Sequence, residues 1–119
     1  MSDLEKVKKE KFIYLTTTGR KTGKPHTVEL WFAISDNRIF LSHEGTMTDW
    51  MKNIQKKGDV NVKIGNIKLA GKAGITPDKG ASREMGKKAL YEKYYGPASK
   101  EVLDGWFELS KVIEILPAN

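Results

Sequence analysis

Two apolar stretches that alternate with polar residues and fold back over two turn residues constrain this chain more than any other feature. In residues 26–35, Val28, Leu30, Phe32 and Ile34 alternate with Glu29, Trp31 and Ala33. A period of two sends one set to a core and the other to the opposite face of a strand. Asp36-Asn37 follows, two residues that tolerate positive φ, and residues 38–43 (RIFLSH) read as the returning strand. Residues 59–64 (DVNVKI) and 67–75 (IKLAGKAGI) repeat the pattern around Gly65-Asn66, with Val60, Val62, Ile64, Ile67, Leu69 and Ala73 inward. A two-residue connection joins only antiparallel neighbours. Residues 12–18 (FIYLTTT) and 111–117 (KVIEILP) are dense in β-formers and bring the count to six strands. Gly71 and Gly74 mark bends where a small barrel closes.

Helical periodicity separates the strands. Met47, Trp50, Met51 and Ile54 fall at i, i+3, i+4 and i+7, which predicts a helix over 46–57. Thr46 and Asp49 form its capping box, Lys56 and Lys57 suit its last turn, and Gly58 stops it. A second helix runs from a Ser82 cap to about residue 95, with Met85, Ala89 and Leu90 as its apolar face and Gly96-Pro97 as its end. Residues 1–11 form an arm or short helix with Leu4 and Val7 on one side. A short helix over 99–109 presents Val102, Leu103 and Trp106. The expected fold is mainly β (α+β): a six-stranded antiparallel barrel with flanking helices, one domain over residues 1–119.

Composition narrows the chemistry. There is no cysteine, which removes thiolate catalysis, disulfides and Cys-ligated metals. With only His26 and His43 as imidazoles, no metal site is expected. No Ser-His-Asp set or carboxylate pair argues for hydrolysis. The formal charge of +6 favours an anionic partner. A small basic barrel also suits nucleic acid, but the aromatics are not interleaved with the basic loop and no ribonucleoprotein-type motif appears, so nucleic acid is not expected. No apolar run approaches a membrane span and no leader opens the chain, so a cytoplasmic location is expected.

The cations gather at one point. Between the first two strands lies Gly19-Arg20-Lys21-Thr22-Gly23-Lys24-Pro25. It offers a planar guanidinium, two ammonium groups, a hydroxyl and two flexible backbones, a set that suits phosphate. It has neither the GxxxxGK[ST] spacing nor a GxGxxG opening a helix. By residue chemistry alone a solvated hairpin connection fits the loop as well. Trp31, opposite the core set, lies against a ligand, a second subunit or the helices.

TTTGRKTGKP, the stretch Thr48 to Asn53 with its Thr, Asp, Trp and Asn, and the closing VIEILP together resemble the deazaflavin (F420)-dependent nitroreductase family, within the flavin-binding split β-barrels that include pyridoxamine 5'-phosphate oxidase. The resemblance spans about residues 12–117. It implies a split barrel and a homodimer that binds F420, or alternatively FMN, where two barrels meet. Arg20, Lys21 and Thr22 would grip the phosphate. Val28, Glu29 and Trp31 would run past the ring, Ser42, His43 and Glu44 would lie near the ribityl chain or phosphate, and Trp50 and Asn53 would close the pocket. The implied activity is hydride transfer from reduced cofactor to a quinone, nitroaromatic or enone-like acceptor. Tyr91 and Tyr94, beside Tyr95, are candidate proton donors, or packing residues. The chain departs from the family pattern at His26, Glu29, His43 and Glu44.

Overall fold

The computed structural model describes residues 3–44, 47–77, 80–97, 105 and 110–118. In chain order the elements are α1 (Asp3–Val7), β1 (Phe12–Thr18), β2 (Pro25–Trp31), β3 (Ala33–Ser35), β4 (Arg38–Glu44), α2 (Asp49–Lys56), β5 (Asp59–Ile64), β6 (Ile67–Ile75), α3 (Ala81–Tyr95) and β7 (Ser110–Pro117). The helix expected over 99–109 and the Thr46 half of the capping box lie outside the described residues.

Seven strands, all antiparallel, form one sheet in the order β2-β1-β5-β6-β7-β4-β3. The expected strand over 26–35 is two strands that part at Phe32. Trp31 pairs with Phe12 of β1, whereas Ala33 pairs with Phe40 of β4. β2 and β3 are the two edges of the sheet, so the chain through Phe32 joins edge to edge and curls the sheet into a split barrel. Both short turns form as expected: Asp36 and Asn37 take φ of 52° and 57°, and Gly65 takes 58°.

The alternating residues fill the interior. Ile13, Leu15, Phe32, Ile39, Leu41 and Ile64 are fully buried, with Met51 and Ile54 of α2 packed against them. A second apolar layer, Ala33, Phe40, Leu90 and Val112, lies beneath α3. There Gly86 permits close approach: a Cβ would stand 2.7 Å from both Phe40 and Val112. Two helix starts differ from expectation. α2 is capped at Thr48, and Ser82 sits inside the first turn of α3, whose cap is Gly80 at φ 137°. Only glycine takes that backbone readily, and it fixes the helix start ahead of the serine.

Candidate functional site

The loop after β1 is a closed turn. The Gly19 N–H donates to the Lys24 carbonyl and the Gly23 N–H to the Gly19 carbonyl, each at 2.8 Å. The Lys24 N–H donates to Thr22 Oγ1 at 3.2 Å. Gly19 lets the His26 ring lie close: a Cβ there would stand 2.8 Å from His26 Nε2 and would turn that exposed ring aside.

Arg20 fastens this turn to α2. Its backbone N–H and its Nη1 both donate to Asn53 Oδ1, at 3.1 and 3.0 Å. Its Nη2 pairs with Asp49 Oδ1 at 3.2 Å. Asn53, 3% exposed, passes the connection inward by donating from Nδ2 to Thr17 Oγ1 of β1 at 3.1 Å. Lys56 Nζ donates to the Arg20 carbonyl at 2.8 Å. The guanidinium is therefore a bracket between loop and helix. It lines the cleft but its donors face protein acceptors.

The bracket leaves a cleft of about 570 Å³ between loop, β2 and α2. Arg20, Lys21 and Thr22 line it from the loop, Val28 from β2, and Trp50 and Asn53 from α2. These six sequence candidates are thus brought together from three elements. Gly19, His26, Thr27, Thr48 and Asp49 complete the lining.

The donors directed at this space suit an anion. Lys21 is exposed and has no hydrogen-bond or ion-pair partner among the described residues. The Thr22 hydroxyl accepts from Lys24 and keeps its own proton to donate. Thr48 Oγ1, at the start of α2, is buried with no hydrogen-bond partner among the described residues. A buried hydroxyl without a partner carries a desolvation cost that a ligand atom would relieve. It lies where a helix N-terminus already favours negative charge. Among the described residues one carboxylate lines the cleft, that of Asp49, and Arg20 holds it. Thr48 and His26 were not among the sequence candidates. The signal for Thr48 was a threonine directly before Asp49 and Trp50, where a helix can start, which the Thr46 box obscured.

Of the remaining candidates, Glu29, Trp31, Ser42 and His43 lie outside the cleft lining. Glu29 and Trp31 are on the outer side of β2, as alternation requires once Val28 faces inward. Glu29 hydrogen-bonds the Tyr14 hydroxyl across the ladder, which holds that phenol above its ordinary range. Trp31 stacks on Tyr94, ring centroids 4.2 Å apart and 11° from parallel. Ser42 and His43 do not line the cleft; His43 meets the edge of Trp50 at 6.5 Å. Glu44 ends β4, paired with Ser110.

Tyr94 serves the fold. Its hydroxyl accepts from the Phe32 N–H at 3.0 Å and lies 2.8 Å from the Lys11 carbonyl and 2.9 Å from that of Phe32. It supplies the partners lost where the strand breaks, and burial raises its pKa above the usual 10. Its proton lies within reach of the Lys11 and Phe32 carbonyls, and Tyr94 does not line the cleft. Tyr91 packs in the layer under α3, its ring 5.1 Å from Tyr95.

The curled antiparallel sheet, folded back on itself where β2 passes into β3, is a split barrel with an anion-suited cleft. Solved structures agree on the fold. A conserved hypothetical protein from Mycobacterium tuberculosis is 21% identical, with TM-score 0.79 over 100% of this chain and 82% of that one. An F420-H2 dependent reductase is 22% identical, with TM-score 0.70 over 88% and 93%. A domain-swapped dimer is 22% identical, with TM-score 0.70 over 88% and 79%. No curated protein matches the sequence. Residues 4–98 match the model of the F420H(2)-dependent quinone reductase family, and the chain belongs to that family. It is an oxidoreductase of the F420-dependent kind. Among the described residues no helix is long and apolar enough to cross a membrane, and no group of side chains is placed to hold a metal.

Proposed function

We propose that the cleft between the Gly19–Pro25 loop and α2 holds the phosphate end of F420, and that the chain reduces an electron-poor small molecule, a quinone, nitroaromatic or enone-like compound. The observation that carries this reading is the donor set around the cleft: an uncommitted Lys21, the Thr22 hydroxyl and the unpartnered buried hydroxyl of Thr48. Lys21 supplies a point charge and Thr22 a directional donor for a phosphate oxygen. Arg20 and Asn53 hold both in place by locking the loop to α2. Val28 and Trp50 offer an apolar wall for a planar ring. When bound in reduced form, the coenzyme supplies the hydride; the protein orients the ring and keeps water from it.

In this reading the protein is one domain, works in the cytoplasm and pairs with a second copy. Tyr14 and Trp31 stand 42% and 43% exposed on the outer face of β1 and β2, an apolar surface that a second barrel would cover.

Titration with F420, followed by its fluorescence, tests the proposal, with FMN as the comparison. Saturable F420 binding that weakens in Lys21→Ala, together with oxidation of reduced F420 by an added quinone, is the expected result. Absence of F420 binding, or binding unchanged in Lys21→Ala, overturns it.

A further inference from the structure

A cavity that shares no residue with the coenzyme cleft lies beside β3. Its volume is about 620 Å³, and it opens between the segment after α1, β3 and α3. Four ammonium groups line it: Lys8, Lys9 and Lys11 from the segment and Lys93 from α3. Among the described residues Glu92 is the only acidic one in the lining. Lys8 also meets Glu5 at 3.3 Å, but that pair is about half exposed and largely screened. The floor is small and apolar, formed by Ala33, Ile34 and Ala89.

Packing alone does not call for this charge. α1 buries only Leu4 and Val7, and Lys8, Lys9 and Lys11 are exposed. Lys93 is different. Its Nζ sits 3.4 Å above the centre of the Phe32 ring and donates to the Glu10 carbonyl at 2.6 Å. The cation is thus fixed at the inner edge of the cavity rather than swinging in water. Partial burial costs it solvation, which draws its pKa down to about 8 even though the Glu10 carboxylate nearby pulls the other way. An anion beside it would repay that cost and relieve the repulsion among its neighbours.

We infer that this cavity is a second anion site, separate from the coenzyme's, which takes a small organic anion carrying two or more negative charges as phosphate or carboxylate, with a short apolar body against Ala33, Ile34 and Ala89. Lysines bind such groups as movable point charges, so charge number and size select the ligand rather than one bidentate geometry. A volume of this size accommodates a small metabolite. The site does not depend on how F420 is bound, since no lining residue is shared.

Inorganic pyrophosphate and citrate serve as probes, each titrated by calorimetry at low salt into the intact chain. Lysine acetylation read by mass spectrometry locates the contact. The expected result is that a probe protects Lys93 and Lys11 but not the remote Lys57, and that Lys93→Met and Lys11→Gln each weaken binding about tenfold. Lys93→Met keeps a side chain over Phe32, and Lys11→Gln touches no core, so loss of fold does not explain a loss of binding in both. Lys21→Ala leaves this site unchanged. Binding that disappears in Lys21→Ala, protection spread evenly over all lysines, or affinities unaltered in both cavity variants overturns the inference. Stronger binding of pyrophosphate than citrate identifies a phosphate ligand, and the reverse a polycarboxylate.

Discussion

The two ends of β2 solve opposite problems with similar residues. At its start, a solvent-facing loop must be held still, and Arg20 and Asn53 do this by side-chain hydrogen bonds to α2. That leaves Lys21 and Thr22 turned outward beside a buried, unpartnered Thr48 hydroxyl. At its end, a strand breaks inside the core, and the Tyr94 hydroxyl serves the peptide groups left over at Phe32. Trp31 and Lys93 cover that repair from two sides. The loop end keeps the Lys21 and Thr22 donors available, whereas at the break the Tyr94 hydroxyl is taken up by peptide groups. A hydroxyl whose hydrogen bonds are filled by backbone in this way has little left for a ligand.

The contrast can be broken by substitution. Asn53→Leu has the largest expected effect. It leaves two Arg20 donors and the Thr17 hydroxyl without their partner, at a cost of about 2–3 kcal/mol in urea unfolding. F420 affinity falls with it, because the loop is released. Retained affinity in a destabilised variant would show that the loop holds its shape alone. Tyr94→Phe comes next, at about 1–2 kcal/mol, since the buried Phe32 N–H loses its acceptor. Here F420 affinity stays constant; a loss comparable to that of Asn53→Leu would mean that the two ends are not independent.

Lys21→Ala reverses the pattern. Stability changes by less than about 0.5 kcal/mol, as for an exposed side chain. The F420 dissociation constant rises about tenfold, equivalent to ~1.4 kcal/mol. The smallest effect is a pH dependence at the break end. The folded pKa of Lys93 is about 8, against 10.5 for a free lysine. Below pH 8 the amine is charged in both states and the fold carries its desolvation. Between pH 8 and 10.5 the unfolded chain holds a proton that the folded chain has released, so stability rises with pH. Lys93 is only partly buried, and solvent keeps the gain small. The melting temperature of the wild type relative to Lys93→Met should climb between pH 7.5 and 9.5. Burial holds the Tyr94 phenol above its ordinary range, so the climb is assigned to Lys93.

Much of the barrel was legible in the chain. Alternation and two turn dipeptides placed the strands, because a period of two and a positive φ are properties of a few adjacent residues. The stripe through Trp50, Met51 and Ile54 gave α2 for the same reason. The break at Phe32 was not legible. Val28, Leu30, Phe32 and Ile34 alternate without interruption, and only a change of partner from β1 to β4 divides them.

The candidate site divides along the same line. Sequence alone determined the concentration of cations in one loop, the absence of thiols, and the apolar faces that form a core. Tertiary structure decided which of those groups remain available. The Arg20 guanidinium is turned inward by Asn53 and Asp49, 33 and 29 residues away. The Tyr94 phenol is used by Phe32, 62 residues away. A side chain's type is local, but the partner that satisfies it is set by packing between distant segments, so availability for a ligand emerges only from the folded chain.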